Sequence, residues 1–590
     1  MPSFMDRITG GNASSTNTRQ PVDTAESAIT PHNGHSRVGH NGNVERREYP
    51  RGEPTERTSL LPPTPPAQSS RNPLSNRRAD AADAAAKKHD AQEAARIRQI
   101  QERDVPNPLE VDAYNLQSVR VLRYFTIFFL SITGLWLLLL LISIFATPPG
   151  MSTRGSGYTE LFFATFTFVT LLIETLFFIV PSQFSVLMSV LLVVTLLVDT
   201  IMVVAVGQLR SQAGWVGVVS LAWAALMSSW IVVCGKVVEE VREEEEIRVN
   251  RVMETRRTVG EWSGVLVSSI LYVGLFVVAL MLTIQLGLNA SDGALHVPGK
   301  KVFVDGSRYQ LHVFCSSPPL NTSQPTFLVE SGDLPVQSGL ESLLMEAHQD
   351  GLISRYCYYD RPGYAFSDNA PSPLSAGMTI DALSEALARL GEDSDWILVS
   401  AGIGSLYSHV FASRNLNKIR SHLLLDPYPL SEPFLERLGS TSRGFQYFLR
   451  GLLAPLGIPN LFNTILSGAT REARVFGRIS RHRAGYLKNK LQENTVATTF
   501  TRNEIGAARE VLKGGGGPRG DGIPTVLISS REMMKDGMWK RGQEQMARGD
   551  AGGRVKEWGI VDGGHEVWDG DEGRRVVRSW LGRLERGELA

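Results

Sequence analysis

Five stretches of the chain, 124–146, 158–180, 184–206, 214–235 and 262–286, are almost free of charged residues and run for about 22 to 25 residues each. At about 1.5 Å of rise per residue, a helix of that length exceeds the ~30 Å hydrocarbon core of a bilayer. Five such runs in succession leave little room for a soluble helical core and predict a five-helix membrane region over 119–287. No charged and then apolar leader stands at the first residues, so the first apolar run is expected to act as the targeting signal.

Basic residues orient these spans. Arg96, Arg98, Arg103, Arg120 and Arg123 precede the first, and Lys236, Arg242, Arg248, Arg251, Arg256 and Arg257 lie between the fourth and fifth. The first and third loops carry only Arg154 and Arg210. The positive-inside rule therefore predicts a cytosolic N-terminus and, after five crossings, a lumenal or extracellular C-terminal half. Glu174 and Asp199 lie inside spans, where a carboxylate is by default a site hypothesis. Counted along helices that run in opposite directions, they fall at different depths. Two readings stay open: an ion or proton path with a transporter or receptor role for the five helices, or neutral acids hydrogen-bonded to neighbouring helices. The acidic run 239–248 reads as a solvated helix extension or loop.

Residues 1–118 are rich in Ser, Thr, Asn, Pro, Gly and Arg and poor in large apolar side chains, so they are expected to form a disordered cytosolic tail. Within them, 79–103 has the composition of a helix. The run ERTSLL is similar to an acidic dileucine sorting signal; Glu56, Leu60 and Leu61 would meet a sorting adaptor and route the protein to a vacuole-like compartment. Lysine plus arginine and aspartate plus glutamate number 60 each, a balance that gives no sign of a nucleic-acid partner.

From Lys300 the pattern changes to short β-rich runs at 308–315, 326–330, 355–359, 396–399, 421–425, 525–528 and 554–560. Helix-like stretches lie near 340–349, 379–390, 403–413, 539–548 and 573–588. This alternation predicts an α/β domain over 300–590, a mostly parallel sheet with helices on both faces. The apolar run 445–465 is broken by Arg450, Pro455 and Pro459 and reads as cap helices able to touch lipid. KGGGGPRGDGIP lacks the Lys-Ser/Thr ending of a phosphate loop and precedes a strand, so it reads as a surface loop.

The runs YQLHVFCSS, PTFLVESG, RYCYYDRPGYAFSD, WILVSAGIGSLYS, LLLDPYP and VDGGHEVW, in that order, resemble an α/β-hydrolase of the alpha/beta hydrolase-1 type. The resemblance covers 300–589, with 430–522 in the place of the cap or lid. It implies a G-x-S-x-G turn after the fifth strand, where a strained serine meets a histidine. Laid on that pattern, Ser400 takes the first glycine, Gly402 the nucleophile, Ile403 the next position and Gly404 the last glycine. Glycine suits the positive φ of the turn, but without an Oγ it cannot form an acyl-enzyme. Ser400 falls on the strand and Ser405 in the helix, so neither is expected at the tip.

The same resemblance implies His565 as the catalytic histidine. Asp426 is expected as its acid, with Asp536 as the alternative; Asp426 also reads as a plain turn residue before Pro427. The oxyanion N–H groups would come from Ile403 and the SGDLP loop, where Asp333 would oppose a developing negative charge. Cys315 and Cys357 fall on strands that are neighbours in such folds, which leaves a disulfide or two buried thiols. A disulfide requires an oxidising compartment, in agreement with the predicted side. Cys234, at the end of a span, reads as inert. Asn321 and Asn289 begin glycosylation sequons on the predicted lumenal side, Asn289 too near the membrane for modification, and Asn12 begins one in the tail. No ligand set implies a metal or cofactor. The resulting expectation is a lumenal hydrolase-fold domain that binds a lipid-like ligand, an acyl ligand or a partner without catalysis. The alternative is an active membrane-anchored serine hydrolase, acting on an ester or lipid through a hydroxyl away from the turn.

Overall fold

The computed structural model describes residues 88, 117–177, 182–248, 259–318, 324–514, 522–550 and 554–589. The tail before residue 117 apart from Lys88, the dileucine run at Glu56, Leu60 and Leu61, Asn12, Asn321 and residues 515–521 of the glycine-rich loop lie outside the described residues.

Five helices, α1 (Gln117–Phe145), α2 (Tyr158–Leu176), α3 (Gln183–Ala205), α4 (Gly207–Arg248) and α5 (Val259–Asp292), are long and apolar enough to cross a membrane. Their outer faces carry large apolar side chains: Phe128, Leu135, Ile201 and Ile270 are each more than half exposed. A surface of that kind is stable against hydrocarbon and costly against water. α4 breaks at Gly214, whose φ of 59° and ψ of -167° are non-helical, so the apolar run predicted to start there is preceded by a separate short turn of helix. The acidic run continues α4 as helix.

Tryptophans on α4 set its register against α1. Trp230 donates to Thr126 Oγ1 (3.2 Å), Trp223 to Thr133 Oγ1 (2.9 Å), and Trp136 on α1 donates to Ser220 Oγ (2.9 Å). Each step forward on one helix matches an equal step back on the other, so the pair is antiparallel. Every indole N–H in this ladder is satisfied without water, as an apolar environment demands.

The C-terminal domain is built on eight strands: β1 (Lys300–Val304), β2 (Tyr309–Cys315), β3 (Thr326–Glu330), β4 (Tyr356–Asp360), β5 (Trp396–Ala401), β6 (Ile419–Leu425), β7 (Pro524–Ser530) and β8 (Arg554–Val561). They lie in the order β1-β2-β4-β3-β5-β6-β7-β8. β2 is antiparallel to both neighbours and β3 to β8 are parallel. That order and that one reversal are the α/β-hydrolase fold. Seven of the strands answer to the predicted runs. β1 escaped the sequence reading because KKVFV is short and opens with two lysines; it hairpins onto β2 through Asp305, Gly306 and Ser307, all at positive φ.

Alternation along the strands feeds two cores. Leu328, Leu398, Leu424 and Leu527 face α7 (Ala376–Leu390) and α8 (Gly404–Arg414), while Phe327, Val329, Ile397, Val399 and Ile528 face α6 (Leu340–Gln349) and, beyond β8, the last helix at Asp571–Glu585. Between β6 and β7 the chain forms the cap: α9 (Glu432–Leu438), α10 (Thr441–Leu453), α11 (Ile458–Leu466), α12 (Arg471–Val475), α13 (Ala484–Val496) and α14 (Arg502–Lys513). α15 (Gly537–Gln545) follows β7, and the last helix is α16 (Asp571–Glu585).

The cap and the sheet edge rest on one end of the spans. Phe448 of α10 stacks on Phe145 at 5.6 Å, Arg474 of α12 donates to Asp292 at 2.6 Å, Ser372 donates to the Ile144 carbonyl at 2.8 Å, and Arg154 pairs with Asp368 at 2.6 Å. The apolar run 445–465 is cap helix, as expected, and it leaves Phe445, Leu449, Phe462 and Ile465 exposed beside the spans.

Candidate functional site

The site forms where β5 ends. Ala401 is the last strand residue, Gly402 turns the chain at φ 47°, and α8 begins at Gly404. The turn is pinned by its own backbone: Gly402 N–H donates to the Leu425 carbonyl (3.0 Å), and its carbonyl accepts from Tyr428 (2.8 Å) and Ser405 (3.1 Å). Ile403 is buried, and its N–H makes no hydrogen bond among the described residues.

His565 reaches this turn from the loop after β8. Its Nδ1 lies 2.6 Å from Asp426 Oδ2. Asp426 follows β6 at a φ of 41°, a costly conformation for a residue with a side chain, and is fully buried. Its other oxygen, Oδ1, accepts from Ser530 N–H (3.1 Å) and Trp539 Nε1 (3.1 Å), so both oxygens are engaged and the imidazole orientation follows. The Trp539 ring packs edge-on to the imidazole at 5.4 Å. The result aims Nε2 at Gly402: a Cβ built on that glycine would stand 2.6 Å from it. The imidazole thus occupies part of the space that a side chain at this turn would need.

Burial pushes the His565 pKa down, but the hydrogen bond and charge of Asp426, helped by Asp333, outweigh it and leave the net shift upward from 6.5. Asp536, the alternative acid, is not brought to the histidine. It caps α15 through Met538 N–H (2.9 Å) and faces Arg437 at 3.9 Å on an exposed surface.

Asp333 differs from the expectation. It ion-pairs with Lys490 of α13 at 2.7 Å, and this ammonium holds its carboxyl well below the usual range. The expected repulsion of a developing oxyanion is therefore offset by a cation supplied from the cap. Lys490 also binds Glu493 (2.8 Å), and Arg361 donates to the carbonyls of Ser331 and Gly332 beneath Tyr364 and Tyr407. The SGDLP loop is thereby fixed from below.

The nearby serines are engaged elsewhere. Ser400 Oγ meets His422 Nε2 at 2.9 Å, but both are sealed in the core and burial holds that imidazole well below its ordinary pKa. Ser405 donates to the Tyr428 carbonyl. Cys315 and Cys357, direct partners in the β2–β4 register, form a disulfide with Cα atoms 4.1 Å apart. Cys234 is a buried free thiol. Asn289 Oδ1 accepts from Gln285 within α5. Glu174 accepts from the Tyr272 hydroxyl at 2.9 Å, and Asp199 is fully buried on α3. Sequence reasoning missed Trp539, Lys490 and Arg361 as parts of the site; only Arg361, inside YDRPGY, carried any signal.

A family model described as a region of unknown function (DUF2417) matches residues 56–315. An uncharacterized protein of Schizosaccharomyces pombe is 29% identical over 514 residues, covering 81% of this chain and 94% of its own. An uncharacterized vacuolar membrane protein of Saccharomyces cerevisiae is 24% identical over 340 residues, 49% of this chain and 51% of its own length. Among solved structures, a haloalkane dehalogenase of Agrobacterium tumefaciens has a TM-score of 0.34 at 17% identity, over 49% of this chain and 97% of its own. A carboxylesterase of Nitrososphaera gargenis has a TM-score of 0.33 at 14% identity, over 49% and 100%. The fold assignment rests on the strand order, not on these likenesses.

Proposed function

We propose that this chain is a membrane-anchored α/β-hydrolase-fold protein that binds a lipid-like or acyl ligand in front of His565 without forming an acyl-enzyme. One observation carries the reading: the turn that should present a nucleophile is Gly402, while the histidine and its carboxylate stand in hydrogen-bonding order behind it. An acyl transfer needs an attacking oxygen at that tip, and none is there. What remains is a directed imidazole, 29% exposed, that can hold a polar head by hydrogen bond or charge.

The exposed apolar residues of α10 and α11 beside the spans support contact with the bilayer as the source of the ligand. The disulfide and the sparse basic residues of the first and third loops support a lumenal domain. The name of the budding-yeast relative supports a vacuolar membrane.

The test is covalent. A fluorophosphonate probe should leave the purified chain unlabelled, and oleate should bind saturably and more weakly to His565→Ala. Labelling that disappears in His565→Ala would instead establish a serine hydrolase acting through another hydroxyl.

A further inference from the structure

A cavity of about 140 Å³ lies between the domain-side ends of the spans and the α/β domain. It is distinct from the site at the turn after β5, since none of Gly402, Asp333 and His565 lines it. Its walls differ in character. The spans contribute Phe163, Val203, Leu209, Leu221 and Leu286, the loop between α1 and α2 contributes Arg154, and the domain contributes Lys301, Asp368, Asn369 and Arg483.

The lining carries three cations, Arg154, Lys301 and Arg483, and three acids, Glu160, Asp292 and Asp368, but not every cation is ion-paired. Asp368 is taken by Arg154 at 2.6 Å and Asp292 by Arg474 at 2.6 Å. Glu160 also lines a small adjoining cavity with Lys488, which feels its charge. Lys301 and Arg483 are left over. Among the described residues neither has a carboxylate oxygen within ion-pairing distance, and the one hydrogen bond of the Arg483 guanidinium is a long one, 3.4 Å, to the Ala365 carbonyl. Burial lowers the pKa of both, and it outweighs the opposing charges of Asp368 and Asp360 on Lys301 and of Asp292 on Arg483. Two cations that line one cavity without an ion-paired carboxylate call for an anion.

We propose that this cavity holds the phosphate of a membrane phospholipid. A guanidinium fork and an ammonium together match phosphate oxygens. The depth argues for a lipid rather than a soluble anion. Val203 lies in the last turn of α3, Leu209 in the first turn of α4 and Leu286 near the end of α5, so the cations stand at the height of a headgroup with apolar side chains below them. The acyl chains would leave along the spans.

Native mass spectrometry of the full chain in detergent tests this, with dioleoyl phosphatidylglycerol, dioleoylglycerol and inorganic phosphate as probes. One phosphatidylglycerol should be retained per chain, and dioleoylglycerol should not compete. The double variant Lys301→Gln/Arg483→Gln should bind at least about tenfold more weakly, the cost of losing charge-assisted hydrogen bonds. Equal retention by a double variant of unchanged Tm, or equal competition by dioleoylglycerol, overturns the proposal. A rise in Tm with inorganic phosphate as large as that with the lipid overturns its membrane source. If the double variant does not fold, the competition on the wild-type chain decides alone.

Discussion

Gly402 and His565 define each other. A serine at Gly402 would need its Cβ where the imidazole Nε2 approaches to 2.6 Å, so the ring must retreat and loosen its bond to Asp426. Gly402→Ser also places a side chain at φ 47°. Together these should lower stability by about 1–3 kcal/mol, read as a shift of the denaturant midpoint. The same variant should acquire slow fluorophosphonate labelling at position 402, because the histidine, its acid and the Ile403 N–H are all in reach of the turn. A variant as stable as the wild type would show that the imidazole does not fill this space. A second prediction concerns pH. The His565 pKa is raised above its ordinary 6.5, so the protonated form is the one the folded state favours. Its stabilisation is complete below the unfolded value and disappears as pH rises through the folded one. The Tm difference between the wild type and His565→Ala should therefore be larger at about pH 6 than at about pH 9; an equal difference at both would refute it. Gly402, His565 and Asp426 were legible in the sequence because each sits in a short run tied to the end of a strand. Lys490 and Trp539 were not, because they reach the site from the cap and from α15, by tertiary packing that no local pattern encodes.

The elements show the same division. Strands β2 to β8 could be read from β-branched and aromatic runs, and the spans from length and apolarity. β1 could not, since five residues that begin with two lysines gain their strand character from pairing with β2. The break of α4 at Gly214 was also hidden, because one glycine among apolar residues is compatible with an unbroken helix. The cap helices α10 and α11 were legible as helices interrupted by Arg450 and Pro455, and the fold adds where they lie. Phe445, Leu449, Phe462 and Ile465 are exposed, while Phe448 of the same segment packs on Phe145 of α1. A stripe of that kind next to spans belongs in the interfacial region of a bilayer. Photoactivatable phospholipids in vesicles holding the full chain should therefore label peptides from 441–466 as well as the spans. Labelling confined to the spans would mean that the stripe faces something other than lipid.

At the scale of the whole molecule, charge and contact agree on a common end. The domain rests on the end of α1 at Ile144, the loop carrying Arg154, and the end of α5 at Asp292. These are the connections poor in basic residues, whereas Lys236, Arg242 and Arg248 lie toward the far end of α4. If the basic loops stay in the cytosol, the domain must stand on the other side, and the Cys315–Cys357 disulfide then forms where oxidation is available. Trypsin added to sealed vesicles, cytosolic face outward, should remove the N-terminal tail and cut between α4 and α5 while sparing the domain. The domain should become cleavable only after detergent. Prior cleavage of the domain in intact vesicles would invert the topology. It would also place Lys301 and Arg483 at the cytosolic leaflet, and the disulfide would lie in a reducing compartment that could not sustain it.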